Sequence, residues 1–186
     1  MVTTNTTTTA TRAIHLILGG ARSGKSQYGE QCAQAYEQSS KKPVVYLATA
    51  QAHDLEMEER IKHHQHQRPS HWLTIEEPFK LAQAITQAQH EFPGSLVLVD
   101  CLTLWVSNCL LQAEATWQAE KQALLASLAT LQSPLIMVSN EVGWGIVPMG
   151  ELSRKFVDES GRLHQQLASL ASKVSLVVAG IPMTVK

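Results

Sequence analysis

The chain has 186 residues, 44% of them hydrophobic and 17% charged. That length suits one domain and that composition can bury a core, which excludes general disorder and a low-complexity scaffold. Fifteen Lys and Arg against sixteen Asp and Glu leave a net charge of −1, too weak a field to gather nucleic acid or an anionic membrane, so any anion site must be local. Cys32, Cys101 and Cys109 form neither an even disulfide framework nor a CxxC pair, and a reducing, cytoplasmic setting fits them.

In chain order, MVTTNTTTTATR has no apolar stretch of a targeting signal and reads as a disordered Thr-rich tail over 1–12, ahead of a single domain over 13–186. Ala13 to Leu18 is a short apolar run that predicts a buried strand, followed by a helix over Lys25 to Glu37. A second strand over Pro43 to Ala48 precedes helices over Asp54 to Gln67 and Pro78 to His90. Leu96 to Val99, Leu135 to Val138 and Val174 to Ala179 supply three more strands, with helices over Thr116 to Leu131 and Glu151 to Ser172 between them. The longest stretch free of ionisable residues, Gln122 to Asn140, is broken by Gln132-Ser133-Pro134 and reads as helix, turn and buried strand, so no membrane span is expected. Runs buried on both faces, alternating with helices, predict an α/β fold with a mostly parallel sheet and ligands at the carboxyl ends of its strands.

Gly19-Gly20-Ala21-Arg22-Ser23-Gly24-Lys25-Ser26 matches GxxxxGK[ST], and it lies between a strand and a helix, as the mechanism requires. Its glycines let backbone N–H groups converge on phosphate oxygens, and the helix N-terminus adds positive potential. Lys25 would reach the β and γ phosphates and Ser26 would ligate Mg²⁺. Leu96-Val97-Leu98-Val99-Asp100 has the form of a Walker B strand, which makes Asp100 the candidate acidic partner of that metal. The predicted fold is therefore of P-loop NTPase type, RecA-like, with a mostly parallel sheet flanked by helices in a single domain.

Four histidines, His63, His64, His66 and His71, fall within nine residues. Three readings stand open. Acids at the start and bases near the end suit a solvated helix aligned with its macrodipole. A metal site is a second reading, although His-His and His-x-His are not the i, i+4 pair that brings two imidazoles to one face. The third follows from Glu56, Arg60, His64 and Arg68, successive i, i+4 neighbours that put an imidazole between two guanidiniums, a stripe able to hold phosphates beside a nucleophile. Neutral histidine attacks phosphorus, and its ordinary pKa of about 6.5 leaves it mostly neutral near pH 7.

These residues, read together, resemble the bifunctional adenosylcobinamide kinase/adenosylcobinamide-phosphate guanylyltransferases of cobalamin biosynthesis. The resemblance is carried by GGARSGKS at 19–26, YLATAQ at 46–51, DxEMxxRIxxH at 54–64, RPxHW at 68–72, TxEEP at 74–78, DCLTLWVSN at 100–108, NEVGWGIVP at 140–148 and GRLHQQLA at 161–168. It implies two reactions: phosphorylation of adenosylcobinamide by a nucleoside triphosphate, then transfer of GMP from GTP to adenosylcobinamide phosphate through a GMP-histidine intermediate. It implies GTP and Mg²⁺, with ATP open for the kinase step, and a homo-oligomer, a trimer.

Carried across by position, the GMP-bearing histidine falls on His64, the residue the helical stripe also selects, with His63 the neighbouring rival. Thr49, Ala50, Gln65, His66, Gln67, Arg68 and Glu76 fall near the nucleotide by the same resemblance. A carboxylate at Glu76 suits guanine, whose N1–H and N2–H₂ are paired donors, while an exposed acid capping a helix from Pro78 is the plain alternative. Asn140 to Gly145 would approach corrinoid or triphosphate, or be a structural turn. Arg154 and Arg162 are candidates for neutralising phosphate charge. His164 stands where the family pattern has Asn. Two other classes remain in view, a regulatory GTPase or ATPase switch, for which no NKxD motif is present, and a simple small-molecule kinase, which leaves the histidine stripe unexplained.

Overall fold

The computed structural model of the protein describes residues 13–52 and 55–186, apart from the side chains of Arg60, Lys62, His63, His64, His66 and Gln67. The tail read over 1–12 lies outside the described residues. In order the elements are β1 (Ile14–Gly19), α1 (Lys25–Ser40), β2 (Val44–Ala48), α2 (Leu55–Gln67), β3 (Leu73–Glu76), α3 (Leu81–Glu91), β4 (Leu96–Asp100) and α4 (Leu102–Gln112). Then come α5 (Glu114–Ser127), a 3-10 turn (Leu128–Thr130), β5 (Leu135–Asn140), α6 (Glu151–Leu170), β6 (Lys173–Val178) and β7 (Ile181–Thr184). The sheet runs β3-β2-β4-β5-β1-β6-β7, and only β6 with β7 pairs antiparallel.

Alternation along the central strands sorts the core into two layers. Val97, Val99, Leu135 and Met137 face α3, α4, α5 and α6, where Trp105 and Trp117 pack edge to face with ring centroids 5.4 Å apart. Leu96, Leu98, Ile136 and Val138 face the other way, toward Ala33 of α1. Each fully buried Leu or Ile contributes about 2 kcal/mol, so apolar alternation, rather than local propensity, fixes which strand faces which helix.

The five expected strands and five expected helices are present with shifted ends, and three elements come in addition. β3 is a short edge strand with mostly exposed side chains, so it has no buried run to reveal it. β7 is exposed along its length and contains Pro182, which an edge position tolerates. α4 is buried at Leu102, Thr103, Trp105, Val106, Asn108, Cys109 and Leu110; a helix covered nearly all round lacks the polar stripe that signals amphipathicity. α3 starts at Leu81 rather than Pro78, because Glu77 Oε1 accepts the N–H groups of Phe79 and Lys80, each at 2.9 Å. The capping role considered for Glu76 thus belongs to Glu77.

A buried charge ties α6 to α5. Glu159 accepts from Trp117 Nε1 at 2.6 Å, Lys121 Nζ at 2.8 Å and Arg162 Nη1 at 2.7 Å. Burial pushes its carboxyl pKa up, but these three donors outweigh burial and hold it down at about 2, against an ordinary 4.5. A pKa depressed in the folded state gives stability that is full above the unfolded value and is lost as pH falls through the folded one. The melting temperature is therefore expected to fall between about pH 4.5 and pH 2, and Glu159→Gln, followed by Trp fluorescence, is expected to be less stable at pH 7 and to lose part of that acid dependence.

Candidate active site

The phosphate loop joins β1 to α1 and is fixed by its backbone. Gly24 caps α1 with φ +90°, a left-handed conformation natural to glycine. Arg22 also has a positive φ, +56°, and Ser23 N–H closes a turn on Gly20 O at 3.2 Å. A Cβ on Gly19 would lie 2.4 Å from Ser23 Oγ and 2.7 Å from Val177 O, so that position admits no side chain. The loop is clamped from outside: Gly180 N–H donates to Ser23 O at 2.8 Å, and Glu141 N–H to Gly19 O at 3.0 Å. Gly180 sits in the two-residue turn of the β6–β7 hairpin, where Ala179 and Gly180 have φ of +51° and +79°. The antiparallel hairpin that the sequence did not announce is thus what holds the phosphate loop.

Lys25 is buried, and its Nζ donates to Gly20 O at 3.1 Å, across its own loop. Burial lowers its pKa, opposed by the nearby Cys101 and Asp100. Ser26 is half-buried on the first turn of α1, and Ala21 and Arg22 are exposed. Ser23 is buried, and its hydroxyl has no hydrogen-bond partner among the described residues.

Asp100 ends β4, in register with Ala48, which is in turn in register with Glu76 at the end of β3. Asp100 Oδ2 accepts from Tyr46 Oη at 3.0 Å, and the Arg68 guanidinium lies 3.5 Å from the centroid of the Tyr46 ring. Sequence reasoning gave Tyr46 no role. Its signal was its place two residues before the end of β2, in register with Leu98, so that it shares a face with Asp100. Thr49, one residue past β2, is fully buried. Its hydroxyl donates to Cys101 O at 2.7 Å and accepts from Cys101 N–H at 2.9 Å, and its carbonyl takes a bond from Asn108 Nδ2. Thr49 thereby fastens the chain just after Asp100, while Ala50 is half-buried beside it.

Beyond β2 a polar cavity of about 380 Å³ is lined by Gln65, Arg68, Pro69, Ser70, Trp72, Thr74 and Glu76. Three candidates, Gln65, Arg68 and Glu76, thus meet around one hollow. Its wall is anchored to α1 by Glu37, which accepts from Trp72 Nε1 at 3.1 Å and pairs with His71 Nε2 at 3.0 Å. These bonds outweigh burial and lower the Glu37 pKa. One of the four clustered histidines, His71, is accounted for in this way. His64, His66 and Gln67 belong to α2, but their side chains, with those of His63 and Arg60, lie outside the described residues.

At the end of β5, Asn140 Nδ2 donates to Thr103 Oγ1 at 2.8 Å, and Glu141, the next residue, accepts Gly143 N–H at 2.8 Å. The loop that follows exposes Trp144, Ile146, Val147 and Met149, and an apolar cleft of about 340 Å³ lies between α4 and α6. Both arginines considered for phosphate have local partners instead: Arg154 Nη1 donates to the carbonyls of Pro148 and Met149, and Arg162 is bound to Glu159. His164 is buried, with Nε2 2.7 Å from Ser139 Oγ and Nδ1 3.8 Å from Glu141 Oε2. Burial lowers its pKa against the pull of Glu141. Ser139 is fully buried as well, so this pair braces β5 against α6. No helix among the described residues is long and apolar enough to cross a membrane.

A parallel sheet with a GKS loop at its carboxyl edge, a buried lysine inside the loop and an aspartate at an adjacent strand end defines a P-loop nucleotide-dependent phosphoryl-transfer enzyme. The fold is similar to a KaiC-like protein of Pyrococcus horikoshii OT3, with a TM-score of 0.52 at 15% identity over 89% of this chain and 70% of that one. The family model for cobinamide kinase / cobinamide phosphate guanyltransferase matches residues 15–185, and the chain belongs to that family. Relatives include the bifunctional adenosylcobalamin biosynthesis protein CobP of Pseudomonas aeruginosa, 50% identical over 92% of this chain and 96% of that one. The bifunctional protein CobU of Escherichia coli K12 is 39% identical over 92% of this chain and 98% of its own. Membership displaces the switch and simple-kinase readings.

The loop geometry generates one expectation. Lys25→Ala removes the ammonium from within the loop and is expected to lower phosphoryl transfer by at least 100-fold while the fold survives. Kinase turnover, with circular dichroism as the control, measures it, and near-native turnover would displace Lys25 from the site.

Proposed function

We propose that this chain performs both transfers named for its family on one sheet edge, with adenosylcobinamide and its phosphate as substrates. In the kinase step the phosphate loop, Gly19 to Ser26, cradles the triphosphate, and Lys25 lies along its β and γ phosphates. The aminopropanol hydroxyl of adenosylcobinamide attacks the γ phosphorus; the O–P bond forms, the nucleoside diphosphate leaves and the hydroxyl proton is released. Exposed Trp144, Ile146, Val147 and Met149, on the segment that follows β5, suit the apolar face of a broad macrocycle.

The residues fit a magnesium ion. Ser26 lies in the first turn of α1, Asp100 is steadied by Tyr46, and the buried Ser23 hydroxyl has no partner among the described residues. Mg²⁺, held by Ser26 and Asp100, would neutralise charge on the phosphates. The chain's own groups supply the rest: loop N–H donors orient the phosphates and Tyr46 fixes the carboxylate.

In the transferase step His64, neutral, attacks the α phosphorus of GTP; a P–N bond forms and pyrophosphate leaves. A phosphate oxygen of adenosylcobinamide phosphate then breaks that bond, giving adenosylcobinamide-GDP and free His64. Gln65, Arg68 and Glu76 would receive the guanylyl group, with His66 and Gln67 beside it, and Glu76 would accept the guanine N1–H and N2–H₂ donors. The observation that carries this reading is the meeting of Gln65, Arg68 and Glu76 around one polar cavity. Between β3 and β1 lie four strand spacings, roughly 19 Å, which allows γ and α phosphorus to meet different nucleophiles. We extend the reading to a single domain over 13–186 acting as a homotrimer, with GTP the donor in the transferase step and ATP or GTP in the kinase step.

His64→Ala separates the steps. Adenosylcobinamide phosphate is expected to form at near-native rate while adenosylcobinamide-GDP falls at least 1,000-fold, read by chromatography of the corrinoid products. Guanylyl transfer surviving in this variant would overturn the assignment.

A further inference from the structure

Ser26 and Glu30 stand four residues apart on α1, one above the other along the helix, and the helix buries Lys25, Gly29, Glu30 and Ala33. Packing explains the apolar members: a Cβ on Gly29 would touch Val138, Leu98 and Ile17. It does not explain a carboxylate. Glu30 is only 8% exposed, and its Oε1 has no hydrogen-bond partner among the described residues. An ionisable group is rarely buried without partners, because the lost hydration is not repaid.

The groups around it are not arranged to satisfy it. Asp100, Arg68 and Tyr46 are near enough for their charges to act on or be acted on by Glu30. The Arg68 guanidinium lies over the Tyr46 ring, its Nε has no partner among the described residues, and the Tyr46 hydroxyl donates its hydrogen bond to Asp100. The Lys25 ammonium is turned onto Gly20 O. Glu30 and Asp100 are therefore near enough for their charges to interact, Glu30 with an unpartnered buried oxygen, and among the described side chains no cation forms an ion pair with either. A hydrated dication suits such a place, since Mg²⁺ keeps several waters and is held by one or two carboxylates together with substrate phosphates.

We propose that Glu30 is a further positioning residue of the nucleotide–metal site, accepting hydrogen bonds from the water shell of the divalent cation that Ser26 and Asp100 hold. This rests on the reading of Ser26 and Asp100 as the metal-holding pair. Tyr46 secures Asp100 on one side and Glu30 secures the hydration shell on the other, so α1 contributes to the cation twice, one turn apart. The sequence form of the device is GKSxxxE, at Gly24 to Glu30.

The test is binding of a fluorescent GTP analogue across a Mg²⁺ titration and in EDTA, for wild type, Glu30→Gln, Glu30→Asp and Asp100→Asn. Glu30→Gln preserves shape and removes charge. It is expected to raise the Mg²⁺ concentration for half-maximal binding by about 10- to 100-fold, the usual cost of losing an outer-shell partner, and to leave binding in EDTA unchanged or tighter. Glu30→Asp, which keeps the charge but shortens the arm, is expected to fall between. If Asp100→Asn raises the Mg²⁺ requirement while both Glu30 variants keep the wild-type value, Glu30 is a core residue and the proposal is wrong. If wild type itself binds the analogue independently of Mg²⁺, the metal reading of Ser26 and Asp100 fails, and this proposal with it.

Discussion

The structure depends on a backbone constraint at one turn. The chain leaves β1, reverses through Gly20 to Gly24 and enters α1 with Gly24 left-handed, which sets the N-terminus of α1 close behind the end of β1. Such a turn is strained unless held, and here three distant pieces hold it. The β6–β7 turn takes Ser23 O, the residue after β5 takes Gly19 O, and Val177 closes the space a side chain at Gly19 would need. β5 and β6 flank β1, which brings those contacts to the loop.

Contacts run from the end of β4 to the polar cavity. Asp100 is linked to Tyr46, Tyr46 to Arg68, and Arg68 lines the cavity that ends at Glu76. Arg68 follows the histidine helix directly, and the adjoining His71 and Trp72 are tied to α1 through Glu37. The helix that begins at the phosphate loop therefore also anchors the wall of the second hollow.

Much of this was legible in the sequence because the responsible forces are local or periodic. Buried strands appear as apolar runs, and the loop appears as glycines and a lysine at fixed spacing. What escaped lacked either signal. β3 and β7 are exposed edges, α4 is buried nearly all round, and hairpin pairing onto the loop is a long-range event. Among candidate residues, Gln65, Arg68 and Glu76 line one polar cavity. Thr49 turned out to be committed to Cys101, Arg154 and Arg162 to carbonyls and to Glu159, and the capping acid was Glu77. Tyr46 and Glu30 were silent because a tyrosine in an apolar run and a glutamate in a helix look ordinary until the fold sets both beside Asp100.

The central claim is that one sheet edge presents GTP both to the phosphate loop and to a histidine on α2. Intact-protein mass after incubation with GTP and Mg²⁺, kept out of acid because a phosphoramidate is acid-labile, tests it most directly. The account predicts a GMP-sized increment with GTP and none with ATP, mapped by peptide analysis to residues 55–67. No increment, or an adduct outside that helix, would contradict it.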